Sequence, residues 1–441
     1  MSTLRITLPA ALLWTGLALF GAACGAGPGY ELIDESDGKA DGSPALLPMT
    51  DADRKAYLRD AALFVATDVA AMDLVNGPAG KDAFSPSEAV TCRFSEPSAD
   101  NLPGTGKSPK FACTIAGADG PDEVKVKYGT GNGELYGELI SSRLLWALGF
   151  GADRNYAVRV TCLDCPKDDP WEAYQAYPRP YTGPREATRA FPSAIVERKF
   201  AGKKMVQCAK IDGARCLAEV PDEKQGWSWD EVDRLKADVG GDAKVQWDAF
   251  KLLAAFMKHA DNKMANQRLV CMKGGIGTDG KCHRPFILVQ DGGATFGGGA
   301  QTIFNIINDN TKARLQAWAD EPVWQDRRRC KANVDSRFTL SDPTVTEAAR
   351  QFLAGLLAQL TPDQQLALFT AARVAEHGEL VRTDKLRELF PKADLGEAGL
   401  RRLFPEEDPG APIPDQHVVN AAVWVLAFQA KLAELGQPCG G

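Results

Sequence analysis

Apolar and polar residues follow different periods in the two halves of this chain. Residues 111–115 and 124–128 alternate with period two, and the Gly- and Asp-containing stretch 116–122 between them carries turn residues, so 89–128 reads as strands. Leu139, Arg143, Leu144 and Leu148 recur at helical spacing before Gly149, which predicts a helix over 136–148. Residues 156–162 and 193–200 read as further strands, with 163–192, rich in Pro and Tyr, as a long loop. Residues 51–75 keep Ala, Leu and Val on one face behind Thr50 or Asp51 and read as an amphipathic helix. From Trp229 onward helices dominate, over 245–258, 344–360, 362–375 and 417–435. A strand-rich stretch followed by a helix-rich one implies an α+β architecture in two lobes, 51–200 and 201–441.

The first fifty residues give the chain an address. Arg5, the apolar run 8–20 and the small residues 21–23 form a signal peptide over 1–23, too short to span a bilayer comfortably. Cys24 follows directly and fits a bacterial lipobox, although Gly21 stands where Leu is usual. The expectation is an exported lipoprotein of the bacterial cell envelope, held at the membrane (outer membrane or periplasmic face) through a lipidated Cys24. Residues 24–50 then supply that cysteine and an acidic, Gly-rich tether. A formal net charge of −7 argues against a nucleic-acid partner.

Eleven cysteines agree with export. Setting Cys24 aside leaves ten, of which eight form sequence-local pairs: Cys92/Cys113, Cys162/Cys165, Cys208/Cys216 and Cys271/Cys282. Cys330 and Cys439 remain for each other. Zinc is a poor alternative, because no second C-x-x-C accompanies Cys162 and Cys165 and none of the four His sits at ligand spacing.

Chemistry concentrates at His259-Ala260-Asp261-Asn262-Lys263-Met264-Ala265-Asn266, an H-x-D-x-K-x-x-N run, followed by Asp291-Gly292-Gly293 after the apolar stretch 286–289. A bare D-x-x-x-x-N would occur about once by chance in a chain this long, at residue usage of about 5% each. The added His and Lys and the later D-G-G make the combination rarer. Upstream lies Gly104-Thr105-Gly106-Lys107-Ser108-Pro109-Lys110-Phe111 between two strands. It is not a Walker A loop, since position 101 is Asn and no strand–loop–helix context exists; a Gly-rich loop covering phosphates fits better. The strand 124–127 ends in a Val-x-Val-Lys run whose Lys125 and Lys127 share a face, Lys127 being favoured to reach phosphates, and Glu134 and Glu138 follow on or before the next helix. Residues 267–272 and 285–290 read as a hairpin that returns Asp291 to Asn266.

This order of parts resembles the protein-kinase-like superfamily, in its atypical branch of HipA-type and phosphatidylinositol kinases, over residues 90–300. The resemblance implies a bilobal, disulfide-stapled fold with a strand-rich N-lobe and a helical C-lobe. It implies ATP as the nucleotide, with Gly104, Gly106, Lys107, Lys127 and Glu197 on the cofactor side and the strand 194–200 presenting backbone groups to adenine. Asp261 would be the catalytic Asp and Glu138 the partner of Lys127, while Asn266 and Asp291 would hold Mg²⁺ or Mn²⁺. Ala260 replaces the Arg of H-R-D, Gly292 the Phe of D-F-G, and no A-P-E element follows, so the acceptor side stays undetermined. The expected function is phosphoryl or nucleotidyl transfer to an unidentified hydroxyl on a protein, lipid or small molecule. A non-catalytic kinase-fold binding lipoprotein and a surface lipoprotein of unrelated fold are the competing classes.

Overall fold

The computed structural model describes residues 45–440 apart from 81, 97–107, 118–119, 177–179, 298–313 and 335–338. The signal peptide, Cys24, the tether and the loop residues Gly104, Gly106 and Lys107 lie outside the described residues.

Thr50 opens the first helix, α1 (Asp51–Asp60), with a capping box: its hydroxyl accepts from the Asp53 N–H at 3.1 Å and the Asp53 carboxylate accepts from the Thr50 N–H at 3.0 Å. The helix expected over 51–75 ends there. Ala61 and Leu63 are buried and Ala62 is exposed, a period of two, and this segment runs extended, bridging Phe286 from Ala62 and Phe150 from Phe64. Arg54 of α1 donates to Glu231 at 2.7 Å and to the Gly226 carbonyl at 2.6 Å, so α1 lies against the helical half of the chain.

A closed barrel follows. Its strands are β1 (Glu88–Phe94), β2 (Lys110–Gly117), β3 (Gly120–Tyr128), then, after the helix α2 (Glu134–Ala147) and the short β4 (Gly151–Ala152), β5 (Arg154–Pro166) and, after α3 (Pro170–Ala176), β6 (Arg185–Arg198). The order around the barrel is β1-β2-β3-β6-β5, antiparallel except where β1 pairs parallel with β5 to close it. Alternating side chains fill its interior: Cys92 and Phe94, Phe111 and Cys113, Val124 and Val126, Val158 and Val160, Ala194 and Val196. The stretch 163–192 is therefore largely ordered structure rather than loop. Its aromatics stopper the barrel, as Tyr174 shows by donating its hydroxyl to the Ser95 carbonyl and accepting from the Ala112 N–H.

Beyond β6 come β7 (Lys203–Lys204), the hairpin β8 (Cys208–Asp212) and β9 (Arg215–Glu219), the helices α4 (Trp229–Val239) and α5 (Gly241–Phe256), and the hairpin β10 (Gln267–Cys271) and β11 (Pro285–Val289). β10 and β11 sit centrally in a four-stranded sheet, ordered β4-β11-β10-β7. Further helices span Glu347–Leu357, Pro362–Ala371 and Ala421–Leu435. A second, larger apolar core gathers these helices with α2, around Trp227, Trp229, Trp247 and Phe250 and around Trp318, Phe369, Trp424 and Phe428. Twelve of the fourteen residues of α2 are buried, as befits a helix held between the barrel and the other helices. Barrel and helices belong to one compact unit.

Five disulfides join Cys92–Cys113, Cys162–Cys165, Cys208–Cys216, Cys271–Cys282 and Cys330–Cys439, matching the pairing read from the sequence. Such a set is consistent with an extracytoplasmic protein. Among the described residues no helix is long and apolar enough to cross a membrane.

Candidate functional site

β3 turns Val124 and Val126 into the barrel, so Lys125 and Lys127 point outward toward α2. Lys127 is buried there and forms an ion pair with Glu138, in the second turn of α2. Lys125 pairs with Glu197 of β6 at 2.5 Å, and Lys199 holds the same carboxylate from its other side at 2.5 Å. The Glu197 side chain is thus committed to two lysines. The strand expected to present backbone to adenine is paired on both edges, by β3 and by β5, through Glu197.

The H-x-D-x-K-x-x-N segment follows α5 through Lys258, whose φ of 51° turns the chain out of the helix. His259 is buried, with its Nε2 3.3 Å from the Asp291 carbonyl oxygen, so this His positions backbone. Asn266 Nδ2 donates to the Asp261 carbonyl at 2.8 Å and closes the loop, which leaves the Asn266 amide oxygen with no hydrogen-bond partner among the described residues. The Asp261 carboxylate is 38% exposed and rests 2.9 Å from Lys263 Nζ, open to a molecule arriving from solvent.

The β10–β11 ladder returns the chain so that the Gln290 N–H donates to the Asn266 carbonyl at 2.8 Å, which brings Asp291 beside the loop. The Gly293 N–H donates to the Asp291 carboxylate at 3.0 Å. Burial opposes the charge on Asp291, but Lys127, Lys125 and that N–H outweigh it and hold the carboxyl well below the usual range. Burial likewise opposes the charge on Lys127, and Asp291 and Glu138 hold its ammonium well above the usual range. For Glu138, burial against the pull of Lys127 and with the repulsion of Asp291 pushes the carboxyl up to about 8. Lys127, Glu138 and Asp291 therefore form one electrostatic cluster.

Glycines permit the contact. A Cβ on Gly137 would lie 2.5 Å from the Gly293 carbonyl oxygen, one on Gly292 would overlap the Ser141 hydroxyl, and one on Gly293 would stand 3.1 Å from Glu138 Oε1. Thr295 donates to the Gly292 carbonyl at 2.7 Å and also lies 3.1 Å from the Gly137 carbonyl, tying the D-G-G turn to α2.

Sequence reasoning passed over a polar knot behind the site. Asp153 is fully buried and accepts from the Phe200 N–H at 2.8 Å, from Lys199 at 3.3 Å and from Arg268 at 3.4 Å. Arg268 in turn donates to Gln290 at 2.6 Å, so it braces the residue before Asp291 two positions after Asn266. A lone Asp before a strand and an Arg within one carry no pattern in sequence. Among the described residues no cluster of three or more His, Cys, Asp or Glu could hold a metal; the Asn266 amide and the Asp291 carboxylate each offer an oxygen donor, the chemistry that suits an ion keeping waters and phosphate oxygens for its other positions.

No family model and no curated protein matches the chain. Among solved structures it is similar to the Helicobacter pylori proinflammatory kinase CtkA, at 10% identity over 80% of this chain and 95% of that one, with a TM-score of 0.29. A likeness at that TM-score leaves the reading of the site to its own geometry.

Proposed function

We propose that this protein is an extracytoplasmic, kinase-like phosphotransferase that moves a phosphoryl group from ATP to a hydroxyl acceptor. The observation that carries the reading is the packing of the D-G-G turn directly on α2, which places Asp291 beside the buried Lys127–Glu138 pair. In protein kinases a Lys on the third strand pairs with a helix Glu, and a D-x-G Asp and a catalytic-loop Asn hold the metal ions. Here the Lys is on β3, the Glu is on the helix that follows, and the Asn and Asp are brought together by one hairpin. The barrel and the helix-rich remainder would serve as the two lobes.

Each residue then has a task. Glu138 fixes Lys127, whose ammonium orients the nucleotide phosphates. Asn266 and Asp291 would hold Mg²⁺ or Mn²⁺, which when bound neutralises charge on the phosphate oxygens. Asp261 accepts the proton of the acceptor hydroxyl as its oxygen bonds to the γ-phosphorus and the bond to ADP breaks. His259 and Arg268 keep Asp291 and Gln290 in place.

The test is transfer of label from γ-labelled ATP with Mg²⁺ or Mn²⁺, to the protein itself or to candidate proteins, lipids and small alcohols. Asp261→Ala is expected to keep nucleotide binding and lose transfer by about 10²–10⁴-fold, the usual worth of a positioned general base. Transfer by this variant within a few-fold of wild type would contradict the assignment.

A further inference from the structure

The charges around the cleft do not all pair. Lys127 is matched by Glu138, Lys125 by Glu197, and Lys199 by Glu197 and Asp153. Among the described residues the carboxylates of Asp291 and Glu134 and the ammonium of Lys110 make no ion pair, so Lys110 is the cluster's one lysine without a carboxylate in contact. Lys110 opens β2, directly opposite Lys127 of β3 in the strand register. It feels Asp291 and Glu134 as attractions, and Lys127 and Lys125 as repulsions.

Its position is fixed from three sides. The Tyr128 N–H donates to the carbonyl of Pro109, the residue before it. Ser108 and Asn132 are hydrogen-bonded, with Asn132 Nδ2 2.9 Å from the Ser108 hydroxyl, which fastens this strand entrance to the turn preceding α2. The ammonium of Lys110 stands 5.4 Å from the centre of the Trp171 ring, on α3. A cation on a fixed platform, half-buried and without a carboxylate, is costly to the folded protein unless a ligand supplies the anion.

We infer that Lys110 is the nucleotide's second phosphate ligand, supplying a positive charge with no carboxylate in contact, whereas Lys127 is engaged by Glu138 and lies in the field of Asp291. This rests on the phosphotransferase reading and adds a residue to it. With a metal ion on the Asp291 side and Lys110 on the barrel side, the polyphosphate would be gripped from both flanks. Lys127 between them would orient it and contribute little net charge. Burial, reinforced by Lys127 and Lys125, lowers the Lys110 ammonium to about 8, so its charge fades from pH 7 to pH 9, whereas a bound polyphosphate would raise it again.

Calorimetric titration of the full chain with adenosine, ADP and ATP, each with Mg²⁺, tests this on wild type, Lys110→Ala and Lys110→Gln, all checked by thermal melting. Expected are a loss of about tenfold or more in ATP affinity for both variants, adenosine affinity unchanged within twofold, and an ATP affinity that falls from pH 7 to pH 9 in wild type more steeply than in either variant. The ADP series shows which phosphate is held. ATP affinity within twofold of wild type in both variants overturns the role of Lys110 and leaves the phosphotransferase reading standing. Wild-type protein that binds neither ATP nor ADP overturns both together.

Discussion

Lys127 and Glu138 are both almost wholly removed from solvent, so neither is tolerable without the other. Glu138→Ala should lower unfolding free energy by about 3–5 kcal/mol, because it leaves a buried ammonium without its hydrogen-bonded carboxylate, and the double replacement Lys127→Met with Glu138→Leu should cost less than the single one. Urea denaturation of wild type and the two variants measures this; a double variant less stable than Glu138→Ala would contradict it. A second residue-scale outcome concerns acid. Arg350 and the Cys439 N–H hold Glu347, which lies at the start of the helix Glu347–Leu357, down from 4.5 to about 2. A carboxyl depressed on folding contributes stability that is fully present above its unfolded value and is lost as pH falls through the folded one. Glu347→Gln should therefore flatten the loss of melting temperature between pH 4.5 and 2, and an unchanged slope would refute the pairing.

At the scale of elements, what positions the site is the seam between α2 and the D-G-G turn. Gly137→Ala would drive a methyl group into the Gly293 carbonyl 2.5 Å away. It should cost about 1–3 kcal/mol, as overpacking does, and weaken nucleotide binding even though residue 137 touches no ligand. Melting and titration of that variant check both, and full nucleotide affinity would show that the seam does not matter. Much of the seam was legible in the sequence. The period-two pattern put Lys125 and Lys127 on one face, helical spacing gave α2, and the apolar run before Asp291 gave β11. What escaped were elements whose order comes from distant partners. Residues 61–65 look helical by composition, but they run extended to meet Phe286 and Phe150. Residues 163–192 are rich in turn formers, yet the barrel recruits them through pairing with β5 and through Tyr174 and Tyr181. The Asp153–Arg268–Gln290 knot joins three segments far apart in sequence, and no local period marks it.

For the whole molecule, one disulfide fastens the end of the chain to a segment far from it in sequence. Cys330–Cys439 closes a segment with a sequence separation of 109, and Gly440 N–H donates to the Arg327 carbonyl beside it. On the loop-entropy account such a closure is worth about 4.7 kcal/mol, against about 3 kcal/mol for a fifteen-residue loop. Cys439→Ser should thus lower the melting temperature more than Cys216→Ser, whose bridge spans an exposed hairpin; the reverse order in calorimetry would contradict this. The central claim is that barrel, α2 and hairpin together make a metal-dependent nucleotide site, and thermal unfolding with ATP tests it most directly, run with and without Mg²⁺ or Mn²⁺ on wild type and Asp291→Ala. At a nucleotide concentration of 100 times the dissociation constant, wild type should gain about 2.7 kcal/mol with metal and much less without it, and Asp291→Ala should lose the metal-dependent part. Stabilisation that is absent in wild type, or identical in Asp291→Ala with metal present, would contradict the account.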